Sequence, residues 1–251
     1  MGARRFFIAD VHGVGDRVTL AGTDAHKIVE VLRLRSGDEV ELVDSAAQTF
    51  RAELAIERGN VVAMLVEQRV RVVNDAVRID VAQGIPKGAK MDFVVEKLTE
   101  LGVATIAPFA TERSVVREVG AQKVERWRRL ARAAAQQCGR VTVPQVDEPS
   151  DFEALLVRFS GYDTVLFAWE VVQAAPLRET LPSLIAGAGR ILVVIGPEGG
   201  FSHGEAERAV AAGAHLVSLG ARILRSETAP LVLVAILCYL LETGNRAFGV
   251  V

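Results

Sequence analysis

"VVIGPEGGFS", residues 193–202, passes from an unbroken apolar run into a loop of three glycines, a proline and a carboxylate, and ends on Ser202. The stretch "ILVVI", 191–195, has the continuous apolar character of a strand buried on both faces. Beyond it, Ser202 and Glu205 stand at capping-box spacing, which predicts a helix from about His203 to Ala212. Gly196, Gly199 and Gly200 therefore fall between the carboxyl end of a buried strand and the start of a helix. Open α/β sheets commonly take their ligands there.

Familiar glycine loops do not fit. A dinucleotide fold needs G-x-G-x-x-G and an acidic residue about 20 positions on. Here the spacing is G-P-E-G-G, and "HLVSLGA", 215–221, holds no acid. No Gly-Lys-Ser/Thr follows, which removes the phosphate loop, and no G-x-S-x-G elbow is present. A tight turn that needs glycine angles accounts for one or two glycines; Glu198 and a second unusual loop then remain. That second loop, "LGARILRSETAPL", 219–231, sets Gly220, Arg222, Arg225 and Glu227 between a buried strand and an almost wholly apolar helix, Pro230–Leu241. Charges this dense beside a buried helix are unfavourable unless they pair or meet a ligand. The plain alternative is a structural ion pair of Arg225 with Glu227 or Glu198. A helix apolar on every face suits a core or an oligomer interface.

Further out, the chain reads as two domains, 1–73 and 74–251, with the patterning fading near Asn74-Asp75. In the first, "TFRAELAIE", 49–57, alternates apolar and charged residues at the period of a half-buried strand. Similar short runs lie on either side, across the turn signals Ser36-Gly37-Asp38 and Arg58-Gly59-Asn60. A small antiparallel sheet or barrel is expected. In the second, buried strands ("VRIDVAQG", "ATIAPF", "TVLFAWE", "ILVVIG", "HLVSLG") alternate with helices over Met91–Leu101, which Gly102 stops, and Gln122–Cys138, which turns Trp127 inward. That alternation predicts an α/β domain on a mostly parallel sheet.

The composition of the 251-residue chain, 50% apolar and 24% charged, is that of a globular protein. No signal-peptide core and no apolar run of bilayer length is evident, and Cys138 and Cys238 stand apart, so a cytoplasmic protein with reduced thiols and no membrane partner is expected. His12, His26, His203 and His215 lack metal-ligand spacing, so no metal site is expected. The net charge of -2 offers nucleic acid no global attraction. Locally, however, Arg113, Arg117, Lys123, Arg126, Arg128, Arg129, Arg132 and Arg140 stand against only Glu118 and Glu125. That stretch is either a face for an anionic macromolecule or a solvated helix face.

Taken together, "IGPEGGFS..E" and "LG.RILRSETA" resemble the RsmE family, which methylates N3 of a uridine in bacterial 16S rRNA. "RFF" at Arg5, "HKIVEVLR" from His26, "PKGAKMDFVVEKLTELGV" from Pro86, "ERSVV" from Glu112, "ERW" from Glu125 and "AAAQQCGR" ending at Arg140 extend the resemblance over most of the chain. It implies an N-terminal PUA-like β-barrel that binds RNA and a C-terminal SPOUT domain with a trefoil knot. It also implies a homodimer through the C-terminal domain, and a substrate of 16S rRNA or the small ribosomal subunit. The implied cofactor is S-adenosyl-L-methionine, its adenine held between the two loops. Leu166, Ala168, Gly196, Pro197, Gly199, Gly200, Leu219, Gly220, Ile223 and Leu224 would then form the pocket, with the glycines admitting backbone groups to the adenine edges.

Uracil N3 becomes a good nucleophile only when its proton leaves, so a cation beside the anion and a carboxylate to take the proton are expected. On this reading Arg225 stabilises the anion, and Glu198 or Glu227 acts as base or merely orients Arg225. Arg5, His26, Arg33, Lys87, Arg113 and Arg140 are candidate phosphate contacts, which position RNA without reading sequence. Two alternatives remain open: a SPOUT enzyme acting on another RNA or base atom, and a catalytically silent RNA-binding protein. A small-molecule oxidoreductase is disfavoured by the loop spacing.

Overall fold

The computed structural model describes residues 4–57, 60–69, 77–116, 119–170 and 176–242. The expected boundary near Asn74-Asp75, the Arg58-Gly59 part of the first-domain turn, and Arg117 and Glu118 of the basic stretch lie outside the described residues. The chain forms two compact units: Met1–Asn74 with Ala135–Thr142, and Asp75–Ala134 with Val143–Val251.

The first unit is a five-stranded sheet of β1 (Arg5–Phe7), β2 (Arg17–Leu20), β3 (Glu39–Val43), β4 (Thr49–Glu57) and β5 (Asn60–Arg69), in the order β1-β3-β4-β5-β2. All of its pairs are antiparallel except β1 with β3. Alternation selects its core: Phe50, Ala52 and Leu54 turn inward against Leu42, Val61, Ala63 and Leu65, with Arg51 and Glu53 on the other face. The α1 turn (Gly22–His26) runs into a π-helical turn, Lys27–Val31, which buries Ile28. His26 and Arg33 are exposed. Arg5 corrects its assignment to RNA. It is buried, with its guanidinium on the Glu41 carboxylate and donating to the Arg140 carbonyl at 2.8 Å, so an internal carboxylate occupies the place expected for a phosphate.

The second unit holds a seven-stranded sheet in which every pair is parallel. Its strands are β6 (Arg78–Gly84), β7 (Thr105–Ala110), β8 (Gln145–Val146), β9 (Ser150–Asp151), β10 (Thr164–Ala168), β11 (Arg190–Ile195) and β12 (His215–Val217). They run β12-β10-β11-β6-β7-β8, with β9 also on β7. Between them come α2 (Lys90–Glu100), α3 (Ala121–Cys138), α4 (Phe152–Arg158), α5 (Leu177–Leu184), α6 (His203–Ala211) and α7 (Ala229–Glu242). Gly102, at φ 88°, takes the left-handed conformation that stops α2.

The near-continuous apolar strands are explained by cover on both faces. Ile191, Val193 and Ile195 pack with Val94, Leu98, Trp127, Leu233 and Leu237, while Leu192 and Val194 pack with Phe109, Phe152, Phe167 and Phe201. Trp127 lies fully buried, its indole N–H donating to Asp92 at 3.1 Å. Leu166 corrects its assignment to the ligand pocket. It is fully buried in β10, its side chain in the sheet core with Val193 and Val217, while Ala168 two residues on reaches the cleft wall.

Candidate functional site

β6 and β11 are neighbours in register, Gln83 opposite Ile195, so the segments leaving their carboxyl ends emerge side by side. On β11's side, Gly196–Ser202 forms a turn in which the Gly200 amide donates to the Pro197 carbonyl at 2.9 Å. Phe201 then plugs the aromatic cluster, 4.1 Å from Phe167 between ring centroids. Ser202 and Glu205 form both halves of the capping box that starts α6. The second carboxylate oxygen of Glu205, itself buried, accepts from the Glu112 amide at 2.9 Å and ties "ERSVV" to the same helix start.

Each glycine of the loop answers to a constraint from the protein itself. A Cβ on Gly196 would lie 3.0 Å from the Phe201 ring, and one on Gly199 would lie 2.8 Å from the Arg113 carbonyl oxygen. Gly200 has φ 63° and would bring a Cβ to 2.6 Å from the Glu170 carboxylate. Gly84, at the end of β6, is held more tightly still, since a Cβ there would overlap the Pro197 backbone nitrogen. The glycines expected to admit a ligand are thus already required by close approach of chain to chain.

A cleft of about 1020 Å³ opens at this carboxyl end. Its walls include Ala168, Gly196, Pro197, Gly200, Leu219, Gly220, Ile223 and Leu224, and its charged groups include Glu198 and Arg225. Glu227 joins them through Lys90, which also lines the cleft. The structure therefore brings together most of the residues expected to hold a ligand and all three expected to do chemistry. Gly199 stands apart, against Arg113. Lys87 and Arg113 flank the loop: the Lys87 amide donates to the Glu198 carboxylate at 3.2 Å, and both residues are exposed. His26, Arg33 and Arg140 belong to the other unit.

The electrostatics turn on Lys90, the first residue of α2, which sequence reasoning did not single out. Its ammonium lies 2.9 Å from Glu198 and 3.3 Å from Glu227. Burial pushes the Glu198 carboxyl up, but Lys90 and the amides of Glu198 and Lys87 prevail and hold it below the usual carboxylate range. For Glu227 burial likewise pushes up; its own amide, Lys90 and Ser226 outweigh that and bring it below. The hydrogen bond to Glu198, opposed by burial and helped by Glu227, lifts Lys90 above an ordinary lysine. All three groups are therefore charged at neutral pH. Arg225 is 81% exposed and only 4.0 Å from Glu227, too loose for a strong structural pair. Its carbonyl accepts from the Thr228 and Ala229 amides, which anchors the start of α7 and leaves the guanidinium free of the backbone's work. The signal for Lys90 was the position of "PKGAKMDF" just after a strand, but only the pairing of β6 with β11 shows which carboxylates it meets.

A parallel sheet with a cleft walled by two loops at its carboxyl ends defines an α/β protein that binds a ligand at its strand ends. Residues 73–238 match the RNA methyltransferase domain family. Ribosomal RNA small subunit methyltransferase E of Bacillus subtilis is 32% identical over 89% of this chain and 90% of that protein. The protein of the same description from Synechocystis is 31% identical over 96% and 79%. Among solved structures, a ribosomal RNA small subunit methyltransferase E from Neisseria gonorrhoeae bound to S-adenosyl methionine superposes with a TM-score of 0.85 at 31% identity, covering 95% of this chain and 98% of that one. The putative methyltransferase Lpg2936 from Legionella pneumophila, in complex with the same cofactor, superposes with a TM-score of 0.86 at 26% identity and the same coverage. The chain belongs to the ribosomal RNA small subunit methyltransferase E family of RNA methyltransferases.

Proposed function

We propose that the chain transfers a methyl group from S-adenosyl-L-methionine to N3 of a uridine in 16S rRNA of the small ribosomal subunit. The observation that carries the reading is the cleft itself, shared by the two loops, in a chain whose superposable relatives are described with that cofactor bound. The first unit serves as a PUA-like RNA-binding barrel, and the second, from about residue 74, as a SPOUT domain with a trefoil knot. That domain pairs through α7 into a homodimer. Among the described residues no helix is long and apolar enough to cross a membrane.

The residues present fit the cofactor. Leu219, Ile223, Leu224 and Ala168 offer an apolar slot for a flat ring, and the backbone of Gly196 and Pro197 offers polar edges beside it, as small-molecule sites require. Carboxylates held ionised by backbone amides and Lys90 suit a cationic ligand. When bound, S-adenosyl-L-methionine supplies an electrophilic methyl carbon, so the protein's task is to present an in-line nucleophile and exclude water. Arg225, exposed at the cleft, stabilises the negative charge that builds on the uracil oxygens as the N3 proton leaves. Glu227 orients Arg225. Glu198 and Glu227, both below the usual carboxylate range, are weak proton acceptors, and their larger part is electrostatic. Lys87 and Arg113, on either side of the glycine loop, contact the RNA backbone near the target, with His26, Arg33 and Arg140 contacting it elsewhere. N3 is hidden in a base pair, so the target base must be unpaired or flipped out.

The test is to incubate the protein with labelled S-adenosyl-L-methionine and small subunits lacking the modification, then digest the RNA and identify the nucleoside. A single 3-methyluridine is expected, with transfer reduced ~100- to 1000-fold in Arg225→Ala. Label in another nucleoside would move the chemistry to another base atom. Cofactor binding with no transfer to subunits or free rRNA would point to a different RNA.

A further inference from the structure

The two loops that wall the cleft carry carboxylates that face one another, and one cation stands between them. Glu198 comes from the loop after β11 and Glu227 from the loop before α7, and among the described residues no hydrogen bond runs directly from one carboxylate to the other's loop. Lys90 does: its Nζ is 2.9 Å from the first and 3.3 Å from the second. The triad is only partly withdrawn from water, with side-chain exposures of 35% for Lys90, 29% for Glu198 and 15% for Glu227, and Lys90 and Glu198 lie on the cleft wall. Both carboxylates lie within 3.3 Å of the one ammonium, whose charge offsets the repulsion between them.

We propose that Lys90 is a positioning residue of the methyl-transfer site, a cationic clamp that joins the glycine loop to the Arg225 loop and holds the cleft in its binding geometry. The clamp follows from the ligand-free geometry; its consequence for catalysis rests on the methyltransferase reading above. The groups around it are few. Glu198 and Glu227 face the ammonium from the two loops, the Lys87 amide holds Glu198 from behind, and Ser226 and Arg225 stand beside Glu227. Since Glu227 also neighbours Arg225, Lys90 fixes the carboxylate that orients the catalytic cation. Neutralising the clamp leaves two burdened carboxylates with no cation between them. The loops then separate, and the upward push of burial on both carboxyls is no longer opposed by Lys90.

Hydrogen exchange on the ligand-free protein tests the clamp without any assumption about the reaction. Three amides report on the loops: Gly200, bonded to Pro197, and Thr228 and Ala229, bonded to Arg225. In Lys90→Met these should exchange about fivefold faster than in the parent, while amides of the β6–β11 pair stay unchanged, which also shows that the variant is folded. Lys90→Arg should restore the protection. In the transfer assay, Lys90→Met should lower kcat/KM by ~10- to 100-fold and move the acidic edge of the pH profile upward, with Lys90→Arg recovering most of the loss. Unchanged exchange at Gly200, Thr228 and Ala229 in Lys90→Met overturns the clamp. Faster exchange with an unchanged kcat/KM and pH profile overturns its positioning role. A parent that transfers no methyl group, yet shows the exchange difference, refutes the reaction and leaves the clamp standing.

Discussion

The parallel sheet carries a cluster of charge at each end, and the two are built differently. At the amino end Asp80 is 2% exposed and fully engaged: Arg78 donates at 3.1 Å, the Tyr162 hydroxyl at 3.0 Å, and Arg190 lies 3.8 Å away while stacking on Tyr162. Arg78 is further pinned by Thr105 at 2.7 Å. At the carboxyl end Lys90 stands between two carboxylates beside an open cleft, and Arg225 nearby is barely held. A charge cluster that satisfies its own members supports the fold; one that borders a cavity and leaves a cation loose is available to a ligand.

The sharpest way to break this contrast is at Asp80. Asp80→Ala removes the shared partner of Arg78, Arg190 and the Tyr162 hydroxyl and should cost roughly 3 kcal/mol, at the low end for a broken buried pair because both arginines are half-exposed and Arg78 keeps Thr105. A lower urea midpoint with unaltered cofactor affinity is expected; lost affinity with unaltered stability would reverse the roles of the two ends. Next is Gly84→Ala, whose new methyl group would collide with the Pro197 backbone and should cost about 2 kcal/mol as overpacking. Because the strain falls on the loop, cofactor affinity measured by calorimetry should drop as well, and an equally stable, equally tight variant would refute the packing account.

Ser202→Ala removes one half of the capping box and should lower stability by about 1 kcal/mol, read as a lower melting temperature. The smallest effect is expected from Glu227→Gln and depends on pH. Glu227 is held below its ordinary value of 4.5 in the folded chain, so its contribution to stability is present above that value and is lost as pH falls through the lower folded value. The gap between parent and variant, followed by chemical unfolding, should therefore be widest near neutrality and close in acid. A gap that widens in acid would mean that the carboxyl is not held ionised by its own amide and Lys90.

Much of the frame was legible before any coordinates. The apolar run 191–195 and the Ser202–Glu205 pair announced a buried strand, a loop and a capped helix, and both features are local or periodic. Trp127 was placed inward by its spacing with Val124 and Ala131, and all three are buried. The readings at Arg5 and Leu166 failed for one reason: a residue type says what a side chain can meet, not what is folded against it. An arginine near a chain's start suits a phosphate as well as it suits Glu41.

The sequence by itself determined the main strands and the helices over 91–101, 122–138, 203–212 and 230–241, and that two loops of unusual composition follow strands. It did not announce α4, α5, β8 or β9, and the strand expected to be buried at 215–220 is a three-residue edge strand with only Val217 buried. Hydrogen-bond periodicity, capping and burial act over a few residues, so they leave their pattern in the order of the amino acids. Only the tertiary structure decided that β6 lies beside β11, and with that pairing that Gly84 meets Pro197 and Lys90 meets Glu198 and Glu227. Those contacts join residues more than a hundred positions apart, and charge attraction and steric overlap depend on distance in space, which sequence separation does not record.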